Sequence, residues 1–285
     1  HVSFKDAQNG CVSGSTIYCT EDGGKTWKER LGVKPAQGIG LGGVSLVSKA
    51  AGWVVGNDGK ILKTEDNSRS WKDSSKWNKC GEVPYFVNKQ TGWLYSLGGF
   101  NYLCRTDDSG YTWEIREIGI KVRNVFFLGD SVGWAVGLIE EWKEGKESNY
   151  SPDRTNVWGV IKHTTNGGKT WETQYQESMG QKGFPGLTGI FFINPNIGWV
   201  VGKGGTILYT EDGGKHWERQ KSGEVKFNLH RVQFIDSKRG WITGTHAKDG
   251  WTGTILYTED GGGHWKVQHR LRDVGFDDLH FMDKK

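Results

Sequence analysis

Thr20-Glu21-Asp22-Gly23-Gly24-Lys25-Thr26-Trp27 is the stretch on which the fold turns. The same grammar returns five times, ending at Trp71, Trp113, Trp171, Trp217 and Trp265. Asp66, Asp108, Asn166, Asp212 and Asp260 stand in the place of Asp22. Self-similarity of this kind decides an architecture before any single element does. The octapeptide has the chemistry of a hairpin turn: the Asp or Asn side chain accepts nearby backbone N–H groups, and the Gly pair supplies positive φ. The Trp then opens the next strand and presents a large apolar plate to a neighbouring unit.

Each box closes the same unit. Around Trp53 the sequence reads as a half-buried strand at Val44-Ser45-Leu46, a strand at Gly52-Trp53-Val54-Val55, a turn at Gly56-Asn57-Asp58-Gly59 and a strand at Lys60-Ile61-Leu62-Lys63. A fourth strand follows the box. Such a unit of about 40 residues has the size of one propeller blade. First strands align on Phe4, Leu46, Phe86, Phe127, Phe192, Phe234 and Phe281, the first six each followed by a Gly: Gly10, Gly52, Gly92, Gly133, Gly198 and Gly240. Seven unit starts stand against six boxes. The expectation is therefore an all-β, seven-bladed propeller of four-stranded antiparallel blades, a single domain over residues 1–285. Six blades and the first strand of a seventh are present on this count, and about 30 further residues would complete a blade.

The boxes resemble the Asp-box, or BNR, repeat of β-propellers. The whole unit, clearest at Ile197-Gly198-Trp199-Val200-Val201-Gly202-Lys203-Gly204-Gly205-Thr206-Ile207-Leu208-Tyr209-Thr210, resembles the photosystem II stability/assembly factor family. That resemblance implies a seven-bladed, non-catalytic scaffold exported from the cytosol, which holds membrane-complex subunits or cofactor-binding intermediates during assembly. Two departures stand out: an insert in unit four, and no Arg-rich strand segment of the kind photosynthetic members use to meet their partner.

The chain of 285 residues carries a net charge of +4 with no basic block, so nucleic acid and membrane surfaces are set aside as partners. No run approaches the ~18 apolar residues of a spanning helix. Of the four Cys, Cys11 and Cys19 face each other across a predicted hairpin, and Cys80 and Cys104 bracket another. They read either as two disulfides or as four buried thiols. The even count favours an oxidising compartment: periplasm, thylakoid lumen or extracellular space.

Every elaboration falls on one face of the disc. In a propeller the second-to-third and fourth-to-next connections share a face, opposite the boxes. The insert 138–158 in unit four, the extension 245–253 in unit six and the connection 174–187 all lie there. Loops longer than a fold needs are where function concentrates. Trp142, Arg154, Trp158, His246 and Trp251 are the candidate partner-binding residues, since exposed Trp beside Arg is a hot-spot composition. The competing reading is that each Trp packs its own loop onto the disc.

No catalytic residue is assigned. Asp6 and Asp236 share a repeat position in the first-to-second turn, which makes a turn role their default. A glycosidase needs paired carboxylates about 5–10 Å apart. His246 and Asp249 alone make no metal site, and no cofactor is expected. The reading is a protein-binding assembly or accessory factor for a larger complex; the alternative is a glycan-active or glycan-binding propeller of sialidase or glycoside-hydrolase type.

Overall fold

The computed structural model describes residues 1–30, 40–74, 79–142, 154–178, 186–221, 228–246 and 252–281. Strands pair with their sequence neighbours, and second strands such as those at Ala51–Gly56, Gly92–Tyr95 and Gly198–Gly202 are buried throughout, so each repeat folds into its own antiparallel sheet. Blade 1 comprises β1 (Val2–Phe4), β2 (Gly10–Ser13), β3 (Ile17–Thr20) and β4 (Lys28–Glu29). Blade 2 is β5 (Leu41–Ser48), β6 (Ala51–Gly56), β7 (Ile61–Thr64) and β8 (Lys72–Asp73). Blade 3 is β9 (Val83–Phe86), β10 (Gly92–Tyr95), β11 (Tyr102–Thr106) and β12 (Glu114–Glu117). Blade 4 is β13 (Lys121–Leu128), β14 (Val132–Trp142), β15 (Arg154–Thr164) and β16 (Glu172–Ser178). Blade 5 is β17 (Leu187–Phe192), β18 (Gly198–Gly202), β19 (Ile207–Thr210) and β20 (Glu218–Arg219). Blade 6 is β21 (Asn228–Phe234), β22 (Gly240–His246), β23 (Thr252–Thr258) and β24 (Lys266–Arg272).

The blades are joined by aromatic plates. Trp53, Trp93, Trp134 and Trp199 lie flat on Phe86, Phe127, Phe192 and Phe234 of the next blade, with ring centroids 3.6, 3.6, 3.8 and 3.5 Å apart. The box Trp of that next blade meets the same Phe edge-on, as Trp265 meets Phe234 at 5.8 Å and 86°. Each Phe is thus held on two sides by rings in the geometries their quadrupoles favour. Between blades 1 and 2 the pattern is replaced by the Cys11–Cys19 disulfide and Leu46, buried together beside Trp71. The second disulfide, Cys80–Cys104, lies buried with Trp53, Phe86 and Leu94.

Side chains also stitch the innermost strands, whose edges would otherwise offer unpaired backbone groups to the channel. The N–H of Leu46 donates to Ser3 Oγ, that of Phe86 to Ser45 Oγ and that of Phe127 to Tyr85 Oη, at 3.0, 3.1 and 3.2 Å. At the corresponding position of blades 4 and 5 stand Phe126 and Phe191, which meet ring to ring at 5.3 Å.

The expected seven blades are corrected to six: the described strands form six four-stranded sheets. The stretch bearing Phe281 joins no ladder as a strand. Gln233 takes up both backbone groups of Phe281, and Asp278 Oδ2 accepts the N–H of Val2 at 3.0 Å. Phe281 nevertheless lies against Trp241 at 4.4 Å, the seat that Phe takes at other seams. The sequence count registered the seat, while a blade requires the ladder as well. This segment sits between blade 6 and blade 1.

The boxes are the outer staples. In the first, Thr20 Oγ1 donates to Asp22 Oδ1 at 2.7 Å and accepts the N–H of Gly24 at 2.8 Å. Asp22 also accepts the N–H and hydroxyl of Thr26, and Trp27 Nε1 donates to Gly24 O. Gly23 and Gly24 both have positive φ, 74° and 87°. His216 and His264 replace that Thr by turning Nδ1 to Asp212 and Asp260 at 2.5 and 2.7 Å. The Thr26 bonds hold the Asp22 carboxyl down from 3.8 to about 2. The backbone N–H groups of Arg239 and Lys238 do the same for Asp236, also to about 2. Because the folded values are depressed, the stability these groups contribute is present above pH ~4 and lost as pH falls toward 2. Thermal midpoints should decline gently below pH ~6.5, where His230 and His280, both lowered by burial, protonate first in the unfolded chain, and fall steeply between 4 and 2. Asp22→Asn, which copies the Asn166 box, should flatten part of that fall.

Candidate functional site

Gly92 pairs with both Phe86 and Thr106, so first-to-second turns and boxes share one face of the disc. On that face Asp6 and Asp236 cap their turns: Asp6 Oδ1 accepts the N–H groups of Gln8 and Asn9, and Asp236 Oδ1 those of Lys238 and Arg239.

The opposite face carries the elaborations. The insertion expected at 138–158 is described only at its two ends, where Leu138–Trp142 and Arg154–Trp158 continue β14 and β15. β14 and β15 stay paired from Gly133↔Thr164 out to Trp142↔Arg154, and β16 follows them to Trp158↔Ser178. The hairpin thus extends blade 4 beyond the length of its neighbours. Trp142 and Arg154 pair by their backbones at its outer end. Trp158 is half-buried; with its cross-strand partner Ile139 it packs against the core that blades 3 and 4 share. His246 ends β22, opposite Thr252, two blades further round. The hairpin tip, Trp251 and Asp249 lie outside the described residues. At the hairpin's base Lys121 Nζ donates to Glu140 at 2.6 Å. Across the seam to blade 5, Tyr175 donates to Glu177, which also receives Arg219.

Where the channel opens on this face, the geometry brings together residues that sequence reading missed. Ladder registers slip between Val122 and Asn124, between Leu187 and Gly189, and between Leu229 and Arg231. Each slip is a β-bulge, which re-aims one side chain. The extra residues are Arg123, Thr188 and His230, at the same level of blades 4, 5 and 6. All three line a cavity of about 350 Å³ at the channel mouth with Leu97, Arg231 and Asp277. Gly137, Gly202 and Gly244 stand across the ladder near the three bulges; a Cβ on Gly137 would lie 2.1 Å from Lys121 O. A Gly three residues after each blade Trp was the available signal, in Trp134-Ala135-Val136-Gly137, Trp199-Val200-Val201-Gly202 and Trp241-Ile242-Thr243-Gly244.

The mouth is rich in cations. Arg123 Nη1 donates to Leu97 O at 2.7 Å, while Glu140, the carboxylate that favours its charge, is engaged by Lys121. Burial lowers the pKa of Lys203, and Arg123 lowers it further. Burial likewise lowers His230; Asp277 opposes the shift, and Arg231 and Lys203 add to it. Arg231 donates to Thr188 O and lies 3.4 Å from Asp278, which also meets His1 at 3.3 Å. Among the described residues no cluster of His, Cys, Asp and Glu could hold a metal ion, and no helix is long and apolar enough to cross a membrane.

Comparison with known proteins places this arrangement in a family. The model of the family described as "Photosynthesis system II assembly factor YCF48" matches residues 1–89 and 174–249, more than half of the chain. The photosystem II assembly lipoprotein Ycf48 of Synechococcus sp. (strain CC9902) is 29% identical over 119 residues, 40% of this chain and 35% of that protein. The match thus spans about a third of that relative's length. Among solved structures, one described as YCF48 bound to D1 peptide covers 91% of this chain and 92% of its own, at 22% identity and TM-score 0.49. The GH74 enzyme of Niastella koreensis superposes with TM-score 0.61 over 93% of this chain and 44% of its own, at 14% identity, a likeness of fold alone. With its boxes, its Trp–Phe seams and a family match over the first two blades and the first strand of the third, and again over blade 5 and the first two strands of blade 6, the chain belongs to the photosystem II assembly factor YCF48 family.

Proposed function

We propose that this protein is a non-catalytic assembly scaffold that holds a protein subunit of a larger, membrane-associated complex through its loop-rich face. The observation that carries the reading is the hairpin of β14 and β15, three-stranded with β16, whose paired strands on that face are longer than those of any other blade among the described residues. Trp142, Arg154, Trp158, His246 and Trp251 are the contact residues in this reading, with the channel mouth beside them. Family membership supports an assembly role, and the relative's description as a lipoprotein, together with two disulfides, supports an exported compartment. The glycan-active alternative loses the two carboxylates that share a repeat position, because Asp6 and Asp236 are committed to turn bonds on the box face.

The test is a pull-down from the native source with intact protein and with a variant in which 140–156 is replaced by a two-residue Asn-Gly turn. A defined subunit captured by the intact protein should fall at least tenfold with the variant, while both melt alike. Equal capture by the two removes the hairpin from the reading. Binding or cleavage of glycans by both, with no protein captured, replaces the scaffold with the alternative.

A further inference from the structure

Each blade ends in an outer strand, whose free edge is a row of backbone N–H and C=O groups on which a further strand can be laid. Short edges guard against this. β4, β8 and β20 have two residues each and β12 has four. β16 (Glu172–Ser178) and β24 (Lys266–Arg272) have seven each. Both stand last in their sheets, and every residue of β24 is exposed.

The two long edges differ in charge. β16 reads Glu-Thr-Gln-Tyr-Gln-Glu-Ser, with two acids and no cation. β24 reads Lys-Val-Gln-His-Arg-Leu-Arg, with three cations, one His and no acid. The ladder puts both acids of β16 on one face, because Glu172 pairs with His163 and Glu177 with Gly159 across a slip of register. Glu177 holds Arg219, but those side chains are 40% and 48% exposed, and an ion pair so placed is weak enough to be exchanged for another cation. Like charges set across a ladder repel. Two β24 edges therefore reject each other, as do two β16 edges. The cross pairing is the one that charge permits, which gives it specificity as well as attraction.

We propose that copies of this chain associate edge to edge, β16 of one copy adding to β24 of the next. The occupant of each edge is thus a second copy of the same protein. Because the edges belong to blades 4 and 6, one copy offers both at once in different directions. The contact is head-to-tail, and it builds a ring or an open row rather than a two-fold dimer. Both are fourth strands and cross the disc in the same direction. An antiparallel ladder therefore turns each copy over relative to the last, and a parallel one keeps them alike. The association needs no other protein, so it stands independently of the scaffold reading.

The test is sedimentation velocity of the intact chain over a concentration series at low salt. Two charge-reversal variants accompany it: Glu172→Lys with Glu177→Lys, and Lys266→Glu with Arg270→Glu and Arg272→Glu. The wild type should form species that grow past the dimer with concentration and recede as salt is raised, since exposed charges are screened. Each variant alone should associate about tenfold more weakly or less, because its two long edges now carry the same sign. Mixed in equal amounts, the variants should regain the association, since each supplies the edge the other lacks. Thermal midpoints of both should match the wild type. If either variant unfolds, the growth and salt response of the wild type decide the matter. A monomer at every concentration, growth that stops at the dimer, or variants that associate like the wild type overturns the proposal. So does a mixture of two folded variants that stays monomeric.

Discussion

Trp199→Ala is expected to destabilise the protein by about 3–5 kcal/mol, the range for truncating a fully buried large aromatic side chain. Trp199 has no exposed surface. Its ring lies on Phe234 with a centroid separation of 3.5 Å and an interplanar angle of 9°. Its Nε1 donates to Gly261 O at 3.1 Å, so the substitution also removes one of the two side-chain donors to that box carbonyl, leaving Gln220 Nε2 at 2.9 Å. One side chain therefore joins blade 5 to both the inner strand and the outer turn of blade 6. The thermal midpoint should fall by roughly 10 °C, at about 2–4 °C per kcal/mol for a domain of this class. Trp27→Ala is the matched control: that Trp is 38% exposed, and no ring of a preceding blade stacks flat on its partner Phe4. It should cost less than half as much. Urea unfolding of the two variants side by side decides the point, and equal losses would mean that the plates do not hold the ring together.

Removing the Cys80–Cys104 bridge as the double Ala variant should cost about 3 kcal/mol. The bridge closes a loop with a sequence separation of 24, for which chain entropy alone predicts roughly 3.5 kcal/mol. Both sulfurs are buried beside Trp53, Phe86 and Leu94, so the smaller side chains also leave unfilled space at the seam between blades 2 and 3. The Cys11–Cys19 bridge has a separation of 8 and should be worth about 1 kcal/mol less on the same grounds. Denaturant midpoints of the two double variants, without reductant, give the order. A larger loss for Cys11 and Cys19 would place the main contribution in local packing rather than in loop closure.

What could be read in the sequence was whatever repeats. The boxes, the Gly-Trp strands and the Phe plates recur at one spacing because every blade must bury the same two faces. Cys11 and Cys19 were legible for the same reason, since hairpin geometry sets them opposite each other. The blade count misled because Phe281 satisfies the seat on Trp241 without a ladder of its own. The unit-four insert read as a loop because its charged residues hide the alternation, yet Glu140 and Glu141 extend a strand whose inner part is firmly buried. The bulged residues stayed invisible because a bulge adds one residue without marking which one turns. The glycine across the ladder, at Gly137, Gly202 and Gly244, records the event.

The central claim is that the loop-rich face meets the partner. The most direct measurement is photo-cross-linking in the native source from a benzoylphenylalanine placed either at Asn156, exposed on the hairpin, or at Lys215, exposed in the fifth box. The account predicts one defined protein adduct from position 156 and none from position 215. The same adduct from 215 but not from 156 would put the partner on the box face and contradict it.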